Sequence, residues 1–541
     1  MKYQLFTILL LFTNVFSTIA QVNFTDSNLP IFIISTDGGI VDEPKVGADL
    51  GIIDNNGQRN SLTDAFNDYD GRIGIELRGQ TSQFLFDKKS YGFETRDANG
   101  ENLNVSLLDL PEENDWILYG PFSDKTMIRN VLMYELSNQI GMYASRTKYC
   151  ELVINNEYKG VYVLMEKIKR DGNRVDIAKL NPDEISETDI SGGYILKLDK
   201  YSWDDQNLFN SAFAGDPNSM LYQVIYPKND NLQSEQFTYI QDFMYDFEAA
   251  LSGENYKDET LGYRQYIDVN SFIDFLLLNE LGRNPDAYRI STYFHKQHDD
   301  DGGKLKMGPI WDFNIGMGNA NFCLGGSPTG WVLDYNEVCP DDTWLIGYWW
   351  NRLLSDEAFA LAVSERWEML RETVFSIESI HQLINDHAIL LNESQTRNYQ
   401  QWNILGEWVW PNDFVGETYE SEVVFLKNWF DDRVDWMDAN MSDLGGHTEP
   451  IYPGNSFLLY PNPFDDVLNI AVKQAKSGEA VLTIFNTVGQ KITSVNIDVE
   501  IGLNHRLEIP KSITAQLNKG LYFYVFKIEE ELIHSGKLVR Q

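Results

Sequence analysis

Two aspartates stand where apolar runs of the chain end. Phe275-Leu276-Leu277-Leu278 leads into Asn284-Pro285-Asp286-Ala287-Tyr288-Arg289, ahead of the strand-like Thr292-Tyr293-Phe294. Pro309-Ile310-Trp311-Asp312-Phe313-Asn314 repeats the arrangement, with Asp312 26 positions after Asp286. A carboxylate bracketed by large apolar side chains is costly to bury unless it is paired or binds a metal. Two such acids can divide the work of phosphoryl transfer, one accepting a proton and the other holding a divalent cation. Plainer readings stay open: Asp286 as a turn residue after Pro285, and Asp312 as a member of a buried ion pair.

Basic partners lie upstream. Ile75-Glu76-Leu77-Arg78-Gly79-Gln80-Thr81-Ser82 runs into Lys88-Lys89-Ser90-Tyr91-Gly92-Phe93, where cations leave strand or turn sequence and suit phosphate oxygens. Glu166 ends the apolar run Val163-Leu164-Met165 and is placed to pair with one of the two lysines. The alternative for Lys88 and Lys89 is a pair of solvated surface lysines. Other chemistries lack their motifs: there is no G-x-x-x-x-G-K-[ST] loop, no H-E-x-x-H helix and no G-x-S-x-G elbow. His295 and His298 are too few for a metal site. The acidic stretch His298-Asp299-Asp300-Asp301-Gly302-Gly303 reads as a hairpin turn rather than a calcium loop. Two carboxylates flanking a sugar would serve glycoside hydrolysis, but that leaves the Lys and Glu elements without a role.

The elements that must position these residues change along the chain. Arg72-Ile73-Gly74-Ile75-Glu76-Leu77 alternates as a half-buried strand, and Asn155-Asn156 joins two apolar runs as a hairpin turn. Ser123-Asp124 can cap a helix carrying Ile128, Leu132, Leu136 and Ile140 on one face. Later sequence turns helical: Ser355 or Asp356 precedes the stripe Phe359, Val363, Trp367, Leu370 and Val374, and another stripe runs through Val423, Leu426, Phe430, Val434 and Met437. Strands first and helices later predict an α+β, two-lobed arrangement with a cleft between the lobes. From Leu458 onward, short β runs separated by Asn486, Gly489, Gly502 and Gly520 predict a small antiparallel β-sandwich.

The bulk numbers bound the setting. The chain has 541 residues, too many for one core. Its formal net charge of −38 argues against sequence-independent binding to nucleic acid or anionic lipid. Lys2 followed by Leu5–Phe12 and a small residue at Ala20 describes a secretory signal peptide over residues 1–20. No later run is long enough for a transmembrane helix. Export permits a disulfide between Cys323 and Cys339, while Cys150 in a strand pattern reads as a buried thiol. The cluster Trp344, Tyr348, Trp349 and Trp350 reads as core packing, with an exposed binding platform as the alternative.

Two family resemblances follow. Over residues 29–441 the ordered series resembles the CotH kinases, secreted or spore-coat proteins distantly related to protein kinases. Its carriers are Arg78-Gly79 with Lys88-Lys89-Ser90-Tyr91, Asp124-Lys125-Thr126-Met127-Ile128-Arg129-Asn130, Gly160-Val161-Tyr162 with Glu166, Gly192-Gly193-Tyr194, Asp286, and Trp311-Asp312-Phe313. That resemblance implies a two-lobed, divergent protein-kinase-like domain using ATP and Mg2+ (or Mn2+). Asp286 would be the catalytic base and Asp312 the metal ligand. Lys89, exchangeable with Lys88, would contact phosphate and be oriented by Glu166, with Arg78 stabilising phosphate charge. Asn314 stands where the family commonly has a second acid, and Ser291 where protein kinases place a metal-binding Asn; both keep an oxygen ligand. After a linker at 442–457, residues 458–541 resemble the type A C-terminal sorting domain of Bacteroidetes type IX secretion, through Leu459-Tyr460-Pro461-Asn462-Pro463-Phe464, Ile484–Gln490 and Lys519-Gly520-Leu521-Tyr522. The expected partners are a secreted or surface protein substrate and the secretion machinery, and the expected location is the cell surface or medium. A kinase-like scaffold or adhesin without catalysis is the alternative function.

Overall fold

The computed structural model describes residues 22–201, 206–213, 220–446, 456–460, 464, 468–473, 478–499, 504–529 and 531–540. The expected signal peptide and most of the expected linker lie outside the described residues.

Seven strands of the N-terminal half close into a barrel: Ile31–Ser35, Val46–Ile53, Tyr69–Arg78, Ser90–Arg96, Asp115–Tyr119, Glu157–Glu166 and Thr147–Ile154, in that spatial order. Every pair is antiparallel except the closing one, where Ile31 lies opposite Glu151 in a parallel register. Closure leaves no edge to template another chain. Alternation decides what fills the interior. Trp116, Leu118, Tyr162 and Leu164 join the barrel core with Ile73, Ile75 and Phe93. Their neighbours Ile117, Val161, Val163 and Met165 face the opposite way and enter a second, larger core. The Asn155-Asn156 hairpin forms as expected, with both residues at positive φ (51° and 64°).

The second core also takes Leu132 and Leu136 of the helix Arg129–Gln139, and Ile128 at its N-cap. Asp124 holds this helix at its start, accepting from the backbone N–H of Arg129 at 2.9 Å and from its guanidinium at 2.7 Å. Beyond it lies a five-stranded antiparallel sheet in the order Leu208–Asn210, Leu221–Tyr226, Tyr194–Leu198, Thr292–Lys296, Leu305–Met307. The helices Ser234–Ser252, Val269–Gly282, Glu357–Arg371 and Tyr419–Asn440 pack with it. Asp356 caps the third through the N–H of Ala358, and Thr418 forms a capping box with Ser421 on the fourth. Val374 falls past the end of its helix and is half-buried. Tyr348, Trp349 and Trp350 are buried in this core, so the aromatic cluster is packing; only Trp344 stays half-exposed. The acidic stretch after His298 is a short turn joining Thr292–Lys296 to Leu305–Met307, as a hairpin requires.

At the C-terminal end, a three-stranded and a four-stranded sheet, both antiparallel, contribute Leu459, Ile470, Leu482, Phe526 and Leu538 to one core. The segregation of strands and helices makes the chain α+β. No helix among the described residues is long and apolar enough to cross a membrane.

Candidate active site

The register of the five-stranded sheet brings the two singled-out aspartates together. Phe294 pairs with Met307, and the N–H of Gly308 reaches the carbonyl of Tyr293 at 2.8 Å. The segment before residue 292 and the segment after residue 307 therefore leave the same end of one hairpin. Asp286 lies on the first and Asp312 on the second. On the other side, Leu198 pairs with Thr292, so Asp199 emerges at that end as well. The burden of three acids is visible in their electrostatics. Asp312 is pushed up to about 7, by burial first and then by the charges of Asp199 and Asp286; Arg78 and a hydrogen bond from Ser291 pull the other way. Asp286 is also raised, chiefly by burial, with Arg289 and Lys200 opposing.

The backbone around Asp312 is held from three sides. Its N–H donates to the Tyr134 hydroxyl at 3.2 Å, its carbonyl accepts from Asn284 Nδ2 at 3.2 Å, and the next N–H, of Phe313, donates to Asn130 Oδ1 at 2.7 Å. These anchors over-determine a left-handed backbone at Asp312 (φ 53°), a conformation that a short polar side chain tolerates better than a bulky one. Ser291 Oγ approaches Asp312 Oδ2 at 3.5 Å, the outer limit of a hydrogen bond. Asn314, two residues on, accepts from Asn319 Nδ2 through its own carbonyl at 2.8 Å.

A cavity of about 590 Å³ has Arg78, Trp311, Tyr293 and Lys197 among its lining residues; none of the three acids lines it, and it reaches them through Trp311, next to Asp312, and Lys197, paired with Asp199. It is apolar at Ile168, Ile195, Ile225 and Tyr226, and cationic at Arg78, Lys167, Lys169, Arg170, Lys179, Lys197 and Lys228. Asp115 is the acid in its lining. Lys167 is paired with Asp115 at 3.0 Å, Lys169 with Glu113 at 2.7 Å and Lys197 with Asp199 at 3.0 Å. Arg78, Lys179 and Lys228 make no ion pair among the described residues; the Arg78 guanidinium sits 6.0 Å from the Trp311 ring centre. A basic hollow in a chain of net charge −38 is a local reversal of the protein's own field.

Three expected roles are not found. Lys88 is neither a phosphate contact nor a solvated lysine: it is 1% exposed and donates to the Val161 carbonyl at 2.6 Å and to Asn398 Oδ1 at 2.8 Å. Lys89 turns back on its own loop, donating to the carbonyls of Gln83 and Phe86 at 2.7 and 2.5 Å. Glu166 does not meet either lysine. It is fully buried between Arg146 at 2.8 Å and Arg174 at 3.2 Å, with the Tyr143 hydroxyl at 3.1 Å. The physical reason is competition: an arginine's planar fork satisfies a buried carboxylate better than a single ammonium. Asp199 is the site residue that sequence reasoning missed, although Tyr194–Leu198 followed by an acid repeats the signal that picked out Asp286. Cys323 and Cys339 are joined by a disulfide, Cα atoms 5.7 Å apart, and Cys150 is a buried free thiol.

A family model described as CotH kinase protein matches residues 75–437, well over half the chain and the whole of this site. The chain belongs to the CotH kinase protein family. In this CotH chain, residues 458–541 match a second model, the secretion system C-terminal sorting domain. That domain indicates export by type IX secretion to the cell surface or extracellular space, and interaction with the secretion machinery. No curated protein matches the chain. A solved structure of Pseudomonas fluorescens alkylpurine DNA glycosylase AlkC, bound to DNA containing an abasic site analog, aligns at 9% identity over 39% of this chain and 63% of that one. Its TM-score of 0.12 carries no argument about the CotH fold.

Proposed function

We propose that this CotH family member is an exported kinase that transfers the γ-phosphate of ATP to a hydroxyl of an extracytoplasmic protein. The observation that carries the reading is the convergence of Asp286, Asp312 and Asp199 at one sheet end beside a cation-lined cavity. Family membership supports use of ATP. On this reading the barrel is the N-terminal lobe, the five-stranded sheet with its helices is the C-terminal lobe, and the nucleotide lies between them. The kinase domain spans 29–441, preceded by a signal peptide at 1–20. A linker at 442–457 leads to a β-sandwich at 458–541 that addresses the chain for export.

The donor set fits a divalent cation used together with phosphate. Asp312 is pushed up to about 7 by burial and then by the charges of Asp199 and Asp286, and a cation relieves the part that comes from those charges. Among the described residues no group of three or more His, Cys, Asp or Glu side chains is arranged to hold a metal alone. Mg2+ in nucleotide sites commonly takes one or two carboxylates and completes its shell with water and phosphate oxygens. Asp312 would hold it, with Asp199 and Ser291 as the nearby oxygen donors and Asn314, two residues along the chain, as the remaining candidate. Bound there, the cation neutralises charge on the β- and γ-phosphates.

The chain's own groups supply the rest. Asp286 orients the acceptor hydroxyl and takes its proton as the oxygen bonds to the γ-phosphorus, while the bond from that phosphorus to the β–γ bridging oxygen breaks and ADP leaves. Arg78, free of a carboxylate partner, contacts phosphate. The apolar walls at Ile168, Ile195 and Ile225 receive the base.

A second reading, a kinase-like scaffold without catalysis, is favoured by one observation: neither Lys88 nor Lys89 is paired with Glu166 to grip phosphate. Incubating the mature chain with labelled ATP, magnesium or manganese and co-exported proteins separates the two. The kinase reading expects transfer that Asp286→Ala abolishes. A raised melting temperature with Mg-ATP but no transfer to any protein would select the scaffold.

A further inference from the structure

Arg289 is the best-held cation at the site, and nothing above gives it a task beyond its charge. Its side chain is 3% exposed. One guanidinium nitrogen lies 3.3 Å from Asp286 Oδ1, and another lies 3.5 Å from Asp342 Oδ1 and donates to the Trp344 carbonyl at 3.0 Å. Nε donates to the Pro285 carbonyl at 2.9 Å, and the plane sits 4.0 Å from the Tyr335 ring centre. Arg289 does not line the 590 Å³ cavity. It grips both the side chain of Asp286 and the backbone just before it.

The far side of this grip is built on the disulfide loop. Tyr335 donates its hydroxyl to Asp342 Oδ2 at 2.6 Å, and Asp342 Oδ1 accepts from the Trp344 N–H at 2.8 Å. Tyr335 lies between Cys323 and Cys339, whose bond closes the loop; the Cys339 N–H donates to the Tyr335 carbonyl at 2.7 Å. The loop is tied to the core where Val332 and Leu333 donate to the buried Glu280 carboxylate at 2.8 and 3.2 Å. The contacts form a continuous path from the covalent bond through Tyr335 and Asp342 to Arg289 and so to Asp286.

We infer that Arg289 is a positioning residue that fixes the Asp286 carboxylate, and that the loop closed by Cys323–Cys339 fixes Arg289 in turn. The inference rests on the reading of Asp286 as the proton acceptor. A lysine could reach one carboxylate, but not both carboxylates and two carbonyls from one rigid plane. Its effect is confined to the chemical step, because Arg289 touches no wall of the nucleotide cavity.

The test compares the full mature chain with Arg289→Gln, Arg289→Lys, Tyr335→Phe and the double variant Cys323→Ser/Cys339→Ser. Arg289→Gln is expected to lower kcat on the order of 10²-fold, the cost of a misplaced reacting group. The KM for ATP should stay within about twofold. Arg289→Lys should recover roughly tenfold of that loss, since it restores the charge without the fork. Tyr335→Phe and the double cysteine variant should each lower kcat by about tenfold in the same pattern. Crystal structures of Arg289→Gln and the double cysteine variant provide a readout independent of transfer, with the Asp286 carboxylate expected to move by about 1 Å or more. A KM that rises as kcat falls, or an unmoved carboxylate, overturns the inference. If the wild-type chain transfers nothing, the kinase reading fails and the carboxylate position alone decides. Should Arg289→Gln not fold, Tyr335→Phe, which removes one hydroxyl, carries the same comparison.

Discussion

The ammonium of Lys88 donates to the side-chain oxygen of Asn398, 310 residues further along the chain, at 2.8 Å. Asn398 Oδ1 also accepts from the Val161 N–H at 3.1 Å. One lysine thereby clips a barrel strand to the helix Ser394–Gln401. Its partners are neutral, and burial pushes its pKa down to about 7, with the charge of Glu151 opposing. In the unfolded chain Lys88 titrates near its ordinary value, so between about pH 7 and 10 the unfolded state binds more protons. Stability should rise with pH through that window, by about 1 kcal/mol per pH unit from this group. Denaturant unfolding at pH 7, 8 and 9 reads the slope. Lys88→Met should flatten it, and an unchanged slope in that variant refutes the assignment.

Glu166 offers a complementary test. Its carboxylate and the Arg174 guanidinium are both wholly buried, and Arg146 closes the other side. Removing one member of such a pair strands the other charge, which costs about 3 kcal/mol or more. Glu166→Ala should therefore lower the denaturation midpoint sharply. Phosphate transfer per folded molecule should stay close to wild type. A variant that folds normally and loses transfer would return Glu166 to the phosphate-site role that its sequence position suggested.

These two residues mark where the sequence was legible and where it was not. Period-two alternation at Arg72–Leu77, the Asn155-Asn156 turn and the Asp356 cap are local signals, and each forms as read. The approach of Asp286 to Asp312 was inferred from repeated context, and a hairpin register of a few residues realises it. Partner choice is different in kind. Whether Glu166 meets Lys89 or Arg174 depends on which cation the fold brings within hydrogen-bonding reach. Arg146 and Arg174 both lie outside the strands, so their approach is set by connecting segments that no local pattern encodes. Lys88 beside Lys89 shows the same limit: both lie in the bend before Ser90–Arg96, and only the assembled fold sets one against Asn398 and turns the other onto its own loop.

Asp312 should report its crowding through pH. Its folded pKa of about 7 lies above the ordinary carboxylate value, so without metal the folded state binds the extra proton. Stability from this group is present at low pH and is lost as pH climbs from about 4 to 7. Asp312→Asn removes the penalty, so its gain in melting temperature over wild type should be larger at pH 8 than at pH 5, by roughly 2–4 °C. The same variant should lose stabilisation by Mg-ATP. An equal gain at both pH values would show that the carboxyl is not perturbed.

Arg78 has no carboxylate partner among the described residues, and it faces the cavity beside Trp311. Arg78→Met keeps the contact with the ring and removes the charge. With one charge-assisted contact to phosphate lost, at about 1.5–3 kcal/mol, affinity for ATP should fall by roughly tenfold to a hundredfold. Affinity for adenosine should change little. Calorimetric titration with both ligands checks this, and an equal loss for adenosine would place Arg78 at the base rather than the phosphates.

Asp199 decides whether the site holds two acids or three. It leaves the sheet beside Thr292, its carboxylate takes Lys197 at 3.0 Å, and its charge is the largest of those that raise Asp312. If Asp199 serves the cation, Asp199→Asn should weaken manganese binding by about tenfold or more, within the range seen when a group supporting a metal ligand is removed. If it serves only to raise Asp312, the variant should lower the apparent pKa of Asp312 and strengthen binding below pH 7, because less proton competes for the carboxylate. Manganese titrations followed by electron paramagnetic resonance at pH 6 and pH 8 distinguish the two by sign. Weaker binding at both values makes Asp199 part of the metal site, and tighter binding confined to pH 6 makes it an electrostatic neighbour.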